Sequence, residues 1–289
     1  VGNYFPDGAA VLDAGGTGTV WMQHSMSNAS NGGRKHFLLW TGAAGGAHPT
    51  VTFKPADPGG VPWATGWTLA LAATDLDGDL LPELYFANDF GPDQLLSNRS
   101  TPGRLRFEAL RGVRQFTTPK SKVLSYDSFK GMSVEAADLN LDAVTDILVS
   151  NIAESYALEE SHFAFIGTGE TALMRAGTAP FVDRSEALGL SGSGWGWEMK
   201  VADFGNDAVP EVLQATGFLR GSVDRWPELH ELAMANDTLL VRPSLWPRFE
   251  PGTELSPGRL FFFVRGAHAR FEDLSRDTGL GRAQVSRGI

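Results

Sequence analysis

The sequence predicts an all-β fold and, within that class, a β-propeller built from four-stranded blades. Three observations lead to this prediction. An acidic motif recurs at a nearly constant interval, short apolar segments flank each copy, and turn-forming residues separate those segments. A repeat of several tens of residues with four strands in each unit is typical of propeller blades. We expect about seven blades in a complete ring, of which this chain supplies about four to five.

The acidic motif sets the length of the repeat. Its best copy, at residues 75–88, reads DLDGDLLPELYFAN, and it returns as DLNLDAVTDILVSN at 138–151 and as DFGNDAVPEVLQAT at 203–216. A weaker copy, DAGGTGTVW, occupies residues 13–21. Regular spacing favours repeated blades over a β-sandwich with unrelated turns. The four copies begin 62, 63 and 65 residues apart, at Asp13, Asp75, Asp138 and Asp203.

Each copy of the motif is expected to join the first two strands of a blade. A short apolar segment follows the loop, as in ELYFA at 83–87 and DILVS at 146–150. A polar turn such as NDFGPD at 88–93 then leads into the next strand. Residues 1–289 are therefore predicted to form a single partial propeller with one blade around each copy.

One segment, about 219–257, interrupts the repeat. Within it Pro227 is a good first residue for a helix, and Leu229, Leu232 and Ala233 fall on one face. This predicts a short amphipathic helix on a loop between strands. Such an insertion is either a specificity loop or a packed cap without a functional role.

The composition excludes several classes of partner and chemistry. The 289-residue chain carries a net charge of −10, which disfavours binding to nucleic acid or to an anionic membrane surface. No apolar run approaches the ~18 residues of a membrane-spanning helix. The absence of cysteine removes disulfides, thiolate nucleophiles and cysteine-ligated metals, and it leaves the cellular compartment open.

The acidic motif carries oxygen ligands at the spacing that a hard cation requires. Calcium takes about six to eight oxygen ligands, and alternate residues of a tight loop can point inward together. We predict two Ca²⁺ sites and a possible third, in which Gly205 removes one ligand; Asp13 stands nearly alone, so no metal is expected there. The predicted ligands, with carbonyl oxygens from the leucine and valines, are Asp75, Asp77, Asp79, Leu81 and Glu83; Asp138, Asn140, Asp142, Val144 and Asp146; and Asp203, Asp207, Val209 and Glu211.

The acidic motif has two alternative interpretations. An EF-hand needs glycine at position six and an acid at position twelve, where this chain has Leu80 and Phe86, and strand rather than helix follows. A solvated aspartate-rich turn without metal is the other alternative. If an ion binds, its role is expected to be structural, because the loop's ligands are all used to hold it.

These residues resemble a known family. DLDGDLLPELYFANDFGPDQLL and ADLNLDAVTDILVSN resemble the FG-GAP/VCBS repeats of integrin-like β-propellers, with Phe90 and Gly91 in the turn that names the repeat. FVDRSEALGL and NDFGPDQLLSN look closer to the ASPIC/UnbV branch, which includes cartilage acidic protein and the UnbV proteins of enediyne biosynthetic clusters in actinomycetes. The resemblance implies calcium binding and either an extracellular location or, for a biosynthetic protein, a cytoplasmic one. It does not fix a function, since this architecture hosts adhesion, sugar binding, lyase and scaffold roles.

The strand before each loop has one apolar face and one face that changes character. Aligned on the first aspartate, the apolar face contains Leu71, Val134 and Met199 and is expected to pack between blades. The other face is expected to border the central channel. The charged residues on this face form either a structural salt bridge or a functional site. A functional site would bind a ligand or carry out acid–base catalysis. The residues on that face are Ser133, Glu135, Glu198 and Lys200.

Tryptophans lie close to the charged residues in sequence. Trp195 and Trp197 flank Gly196, and Trp67 holds a similar place one blade earlier. A flat apolar ligand such as a polyene or a sugar face can stack on such rings, although core packing is the more frequent use of tryptophan.

The repeat also predicts more protein beyond the last residue. A further blade begins near Phe271, and the first aspartate of its loop would fall shortly after Ile289. An inner strand left bare is unfavourable, so we expect a C-terminal fragment of the same polypeptide to complete the ring, either after cleavage or as part of a longer chain.

Two functional hypotheses follow from the sequence. In the first, the protein is a calcium-binding propeller that holds a small molecule or a protein partner in a bacterial secondary-metabolite pathway, with an enediyne polyketide pathway suggested by the resemblance. In the second, it is a biosynthetic enzyme that uses a charged, tryptophan-lined channel for acid–base chemistry on a polyene-type substrate, matured by cleavage after Ile289.

Overall fold

The computed structural model describes residues 1–13, 22–59, 65–155, 160–235, 244, 246 and 248–289, and the described part is all-β, as predicted. The strands are β1 Phe37–Ala44, β2 Thr50–Ala56, β3 Thr68–Thr74, β4 Glu83–Asn88, β5 Gln94–Asn98, β6 Phe107–Gly112, β7 Ser133–Ala137, β8 Asp146–Ser150, β9 Ile152–Ala153, β10 Phe163–Gly167, β11 Thr178–Ala179, β12 Phe181–Asp183, β13 Gly194–Ala202, β14 Glu211–Thr216, β15 Val223–Asp224, β16 Thr253–Glu254, β17 Leu260–Arg265 and β18 Phe271–Asp273. The α-helices are α1 Ser185–Leu188 and α2 Trp226–Ala235, and single 3₁₀ turns occupy Lys120–Lys122, Thr171–Ala176 and Ala267–Ala269.

Three antiparallel sheets of four strands follow one another along the chain. Their strand orders are β3-β4-β5-β6, β7-β8-β10-β12 and β13-β14-β17-β18, with β11 added beside β6 and β9 beside β13. In each sheet a copy of the acidic motif joins the first strand to the second, as the sequence predicts. Two small sheets, β1-β2 and β15-β16, lie outside this series.

The main core lies between the faces of consecutive sheets. The first strands are neighbours, with β7 in contact with both β3 and β13. A cluster between the first and second sheets includes Tyr85, Leu95, Val134 and Phe163, and Phe163 stacks on Phe129 with ring centroids 5.2 Å apart. A second cluster, between the second and third sheets, includes Leu148, Met199, Val212 and Phe263. Each fully buried side chain of this kind stabilises the fold by about 1.5–3 kcal/mol.

The apolar face of the first strand is buried in two sheets but not in the other. Val134 and Met199 are buried as predicted, whereas Leu71 is 42% exposed. These positions face the preceding four-stranded sheet, and the described residues form no four-stranded sheet ahead of the one that begins with β3. On the opposite face, which the sequence predicts to border a channel, Ala70 and Ala72 pack instead towards the second sheet.

The N-terminal segment does not repeat the four-strand pattern within the described residues. Residues 11–12 form a turn before Asp13, and most of the weak motif copy at 13–21 lies outside the described residues. Gly2 bridges to Lys35, and β1 and β2 form a largely exposed hairpin.

The insertion contains the predicted helix as α2. Its first N–H group, on Trp226, donates to Oδ1 of Asp224 at 2.9 Å, which satisfies a backbone donor that a helix start leaves free. Leu232 is buried and Leu229 packs with the aromatic cluster around Trp195. The side chain of Ala233 lies outside the described residues. No described helix has the length and apolar character needed to cross a membrane.

Candidate metal loops and an aromatic cavity

The three complete acidic loops share one pattern of backbone hydrogen bonds. In each, the second residue donates to the carboxylate of the ninth, the sixth to the carboxylate of the first, and the seventh to the carboxylate of the fifth. These bonds run from Leu76 to Glu83 (2.9 Å), Leu80 to Asp75 (3.0 Å) and Leu81 to Asp79 (2.9 Å); from Leu139 to Asp146 (2.8 Å), Ala143 to Asp138 (2.8 Å) and Val144 to Asp142 (2.8 Å); and from Phe204 to Glu211 (2.7 Å), Ala208 to Asp203 (2.9 Å) and Val209 to Asp207 (3.0 Å).

The same loops share a strained backbone. The fourth and sixth residues of each are left-handed, and only one of the six is glycine. A left-handed residue other than glycine costs about 1–2 kcal/mol, so the carboxylate bonds around it must hold it in place. The three segments are therefore one structural unit used three times. The φ values are 76° and 69° at Gly78 and Leu80, 65° at both Leu141 and Ala143, and 53° and 66° at Asn206 and Ala208.

The first loop has the geometry of a candidate cation site. Ligand oxygens of Asp75, Asp77 and Glu83 all lie within 4.8 Å of one another, the one such acidic group among the described residues. Oδ2 of Asp77 is buried without a hydrogen-bond partner. Burial, with a contribution from Asp77 and Asp79, raises the pKa of Glu83. An all-oxygen cluster with an unsatisfied buried oxygen suits a hard cation, so these residues can hold a metal ion.

The second and third loops do not bring three acidic ligand atoms together in this way. In the second loop the amide of Asn140 donates to Oδ2 of Asp142 at 2.8 Å. Burial raises the pKa of Asp146 to about 6, although the N–H groups of Gly167 and Leu139 oppose the shift. In the third loop Gly205 offers no side chain, as the sequence shows.

Three of the four charged or polar residues predicted on the inner strands meet in a salt bridge. Nζ of Lys200 lies 2.7 Å from Oε1 of Glu135 and 3.0 Å from Oε1 of Glu198. Hydrogen bonds to these carboxylates raise the pKa of Lys200, and the N–H of Ile289, followed by Lys200, lowers the pKa of Glu198. Both shifts favour the charged forms. This favours the structural interpretation over proton transfer near neutral pH.

Ser133 lies apart from this salt bridge. It is buried, its hydroxyl lies 3.0 Å from the hydroxyl of Ser150, and it accepts the N–H of Met199 at 3.2 Å. Its contacts therefore tie β7 to β8 and β13.

An aromatic cavity of ≈ 580 Å³ lies at the other end of the sheets from the acidic loops. The first and second strands are antiparallel, so the loop joining them is at one end while the start of the first and the end of the second meet at the opposite end. The walls are mainly apolar. Leu69 and Met132 come from the start of a first strand, and Phe90, Ile152 and Phe218 come from the segments that follow a second strand. The insertion contributes Trp226, Leu229 and Leu232 to the cavity wall.

Two of the three predicted ligand-binding tryptophans line this cavity. Trp195 stacks on Phe218 at 4.4 Å and near-parallel to Trp197 at 6.4 Å, while Trp226 meets Trp195 edge-on. Nε1 of Trp197 donates to the carbonyl of Gly217 at 2.7 Å, whereas Nε1 of Trp195 is buried without a partner.

Trp67 is placed differently. It is fully buried behind the cavity wall, where it makes edge-to-face contacts with Tyr4 and Phe90, and its Nε1 donates to Asn31 at 3.1 Å. It supports two wall residues and does not itself line the cavity.

One corner of the cavity wall is polar, and the sequence did not reveal it. Oη of Tyr4 donates to Oδ2 of Asp89 at 2.5 Å, and Lys130 forms a buried ion pair with Glu160. Burial raises the pKa of Asp89 to about 7, against the opposing hydrogen bond from Tyr4 and the charge of Lys130. Asp89 directly follows the second strand and precedes Phe90, so its place in the repeat could have indicated this polar corner. Lys130 and Glu160 do not belong to the repeated motif.

A buried histidine forms a second network that the sequence did not reveal. Nδ1 of His162 accepts the N–H of Asn151 at 2.9 Å, so the ring proton is on Nε2, which lies 2.5 Å from the hydroxyl of Ser193. That hydroxyl in turn donates to Oε1 of Gln214 at 2.5 Å. Burial lowers the pKa of His162 to about 3, so the ring is neutral near pH 7.

Comparison with models of known protein families gives no match, and comparison with curated proteins gives none either.

Proposed function

We propose that the protein is a calcium-stabilised propeller that binds a flat, mainly apolar small molecule in the aromatic cavity. The carrying observation is the cavity itself. Its volume of ≈ 580 Å³ falls within the range of about 300–1,000 Å³ of small-molecule sites, and its apolar walls carry few polar groups.

The propeller part of the proposal is supported by the repeated sheets. Three consecutive four-stranded antiparallel sheets pack face to face, and in each an equivalent loop joins the first strand to the second. Adjacent propeller blades have this arrangement. The resemblance to FG-GAP/VCBS repeats and to the ASPIC/UnbV branch supports the same assignment. It also favours a natural product, such as an enediyne-type polyketide, as the ligand.

The calcium part is supported most strongly by the first loop. Asp75, Asp77 and Glu83 supply clustered carboxylates, and Asp79 and the carbonyl of Leu81 follow in the same turn. A bound cation would neutralise this charge and satisfy the unpartnered oxygen of Asp77. The loops lie away from the cavity, so the ion would act on stability rather than on the ligand.

A matched pair of leucines on β3 tests the cavity. Leu69 lines it and Leu71 does not, yet both are partly exposed, so neither replacement should unfold the protein. We expect 2-methylnaphthalene to bind in equilibrium dialysis, Leu69→Asp to weaken it about tenfold or more by placing a charge in the wall, and Leu71→Asp to leave it unchanged. No binding to the unmodified protein, or equal effects of both variants, would contradict the proposal.

An acid–base enzyme is a second candidate, favoured by one observation. Asp89 has a carboxyl pKa of about 7 in the wall of the cavity, where a group able to exchange a proton is useful. This hypothesis expects turnover of a bound substrate to depend on one ionisation near pH 7 and to be lost in Asp89→Asn while 2-methylnaphthalene still binds. Turnover that survives in Asp89→Asn would exclude this role for Asp89.

A further inference from the structure

The hairpin formed by β1 and β2 has one face that is apolar throughout. Directly paired residues of an antiparallel sheet place their side chains on the same face, so the pairing register assigns each residue to a face. In β2 the first six residues, TVTFKP, alternate between threonine or lysine on one face and valine, phenylalanine or proline on the other. The face with the larger apolar residues, called the apolar hairpin face below, consists of the pairs Leu38–Pro55, Trp40–Phe53 and Ala43–Val51.

The apolar hairpin face is exposed and is turned away from the body of the protein. Phe37 anchors the base of the hairpin, with its ring centroid 5.4 Å from that of Phe107, and the register places Phe37 on the opposite face. No other described strand or helix packs extensively against β1 or β2. The exposed fractions on the apolar hairpin face are 46% for Leu38, 63% for Trp40, 59% for Val51 and 56% for Phe53.

A surface of this size and character calls for a covering layer. A two-stranded sheet alone is marginally stable in water and needs a further strand or layer to pack against. At about 150–250 Å² for an aromatic side chain, Trp40 and Phe53 together expose roughly 250 Å², and the four other residues bring the face to roughly 500 Å². Contiguous apolar patches of a few hundred Å² or more on a soluble protein mark contact surfaces.

The area and composition of this face fit a second copy of the same chain. Two such faces would bury about 1,000 Å² in total, which is the lower limit for a specific protein interface. The face has no charged side chain, and the indole N–H of Trp40 is its one hydrogen-bonding side-chain group, so it offers nothing that selects a charged partner. Interfaces between identical copies are the more apolar class, and a two-fold axis brings the same surface against itself.

We propose that the apolar hairpin face is a dimer interface, on which the hairpin of a second copy packs face to face. The two hairpins then form a four-stranded sandwich with its own apolar core, centred on the Trp40–Phe53 pairs of both copies. None of the six residues lines the aromatic cavity, so this inference is independent of the proposed function.

Sedimentation equilibrium of the full chain between about 1 and 200 µM tests the interface. We expect a monomer–dimer equilibrium with a Kd on the order of 10 µM, as suits a small interface. Val51→Glu should weaken dimerisation about tenfold or more, because it buries a carboxylate in the apolar face. Thr50→Glu is the matched control, since Thr50 is adjacent, equally exposed and on the opposite face, and it should leave the Kd within about twofold.

Two outcomes of this experiment would overturn the inference. The first is a protein that remains monomeric at about 200 µM. The second is a dimer that Val51→Glu and Thr50→Glu affect equally. Flotation with phosphatidylcholine vesicles adds a third: a monomer that binds the vesicles through Val51 would make a lipid surface the occupant in place of a second copy.

Thiol labelling provides a second measurement at exposed positions, because the chain has no cysteine of its own. Ala43 and Ala44 are adjacent and exposed, and the register places them on opposite faces. Ala43→Cys should react with iodoacetamide about fivefold more slowly at 200 µM than at 1 µM protein, as the dimer covers it, whereas Ala44→Cys should react at the same rate at both. A rate for Ala43→Cys that does not depend on protein concentration would overturn the inference.

Discussion

The ion pair between Lys130 and Glu160 gives the sharpest stability prediction. Its side chains are 7% and 3% exposed, so an ammonium left without its carboxylate would stay buried. Breaking a buried pair by removing one partner typically costs about 3–5 kcal/mol. The nearby charge of Asp89 offers partial compensation, so we expect Glu160→Gln to cost about 3 kcal/mol, near the lower end.

Urea denaturation measures this cost as a change in the midpoint at constant slope. The comparison is Glu135→Gln, which breaks the half-exposed bridge to Lys200, whose side chains are 43% and 25% exposed. Exposed pairs contribute about 0.2–1 kcal/mol, so the control should be several times smaller. A double variant, Lys130→Met with Glu160→Leu, should recover most of the loss because it removes both charges.

The result that refutes this reasoning is a cost below about 1 kcal/mol for Glu160→Gln. That value would mean that Lys130 is hydrated through the cavity in solution and behaves as a surface group.

The remaining predictions concern the acidic loop, the buried histidine and the inner-strand bridge. Chelation of calcium should lower the melting temperature by roughly 5–10 °C, and Asp77→Ala should produce a similar fall and abolish most chelator sensitivity; a neutral or stabilising Asp77→Ala would indicate a loop without metal. The lowered pKa of His162 means that the unfolded state binds a proton first, so stability should fall as pH drops below about 6.5, by about 2 kcal/mol at pH 5. This loss should be absent in His162→Gln, and parallel pH curves for the two proteins would contradict it. Lys200→Met should change the free energy of unfolding by less than about 1 kcal/mol and leave 2-methylnaphthalene binding intact. Loss of binding in this variant would show that the salt bridge takes part in ligand binding.

The sequence predicted the parts of the fold that depend on local pattern. The acidic loops, the strands on either side of them and the helix after Asp224 all follow from residue spacing and turn chemistry over a few positions. The burial of Leu71 was predicted incorrectly, because it depends on whether another sheet lies against β3, and no local pattern carries that information.

The candidate ligand site shows the same division. Trp195 and Trp197 could be identified because two large aromatic residues flank a glycine on one strand. Asp89, Lys130 and Glu160 come from three separate segments and meet only through the packing of the sheets. Whether Trp195 or Trp197 has a free N–H also depends on a carbonyl about twenty residues away, which the sequence cannot place.

The hydrogen bonds to carboxylates inside the acidic loops make the shape of the turn independent of a bound ion. The third loop keeps its left-handed residues and all three shared bonds even though Gly205 has no side chain to offer. A copy of this loop can therefore lose ligands one by one while it continues to join its two strands. Cation affinity in such a repeat is free to drift between units, and the number of ions held can change without any rebuilding of the architecture.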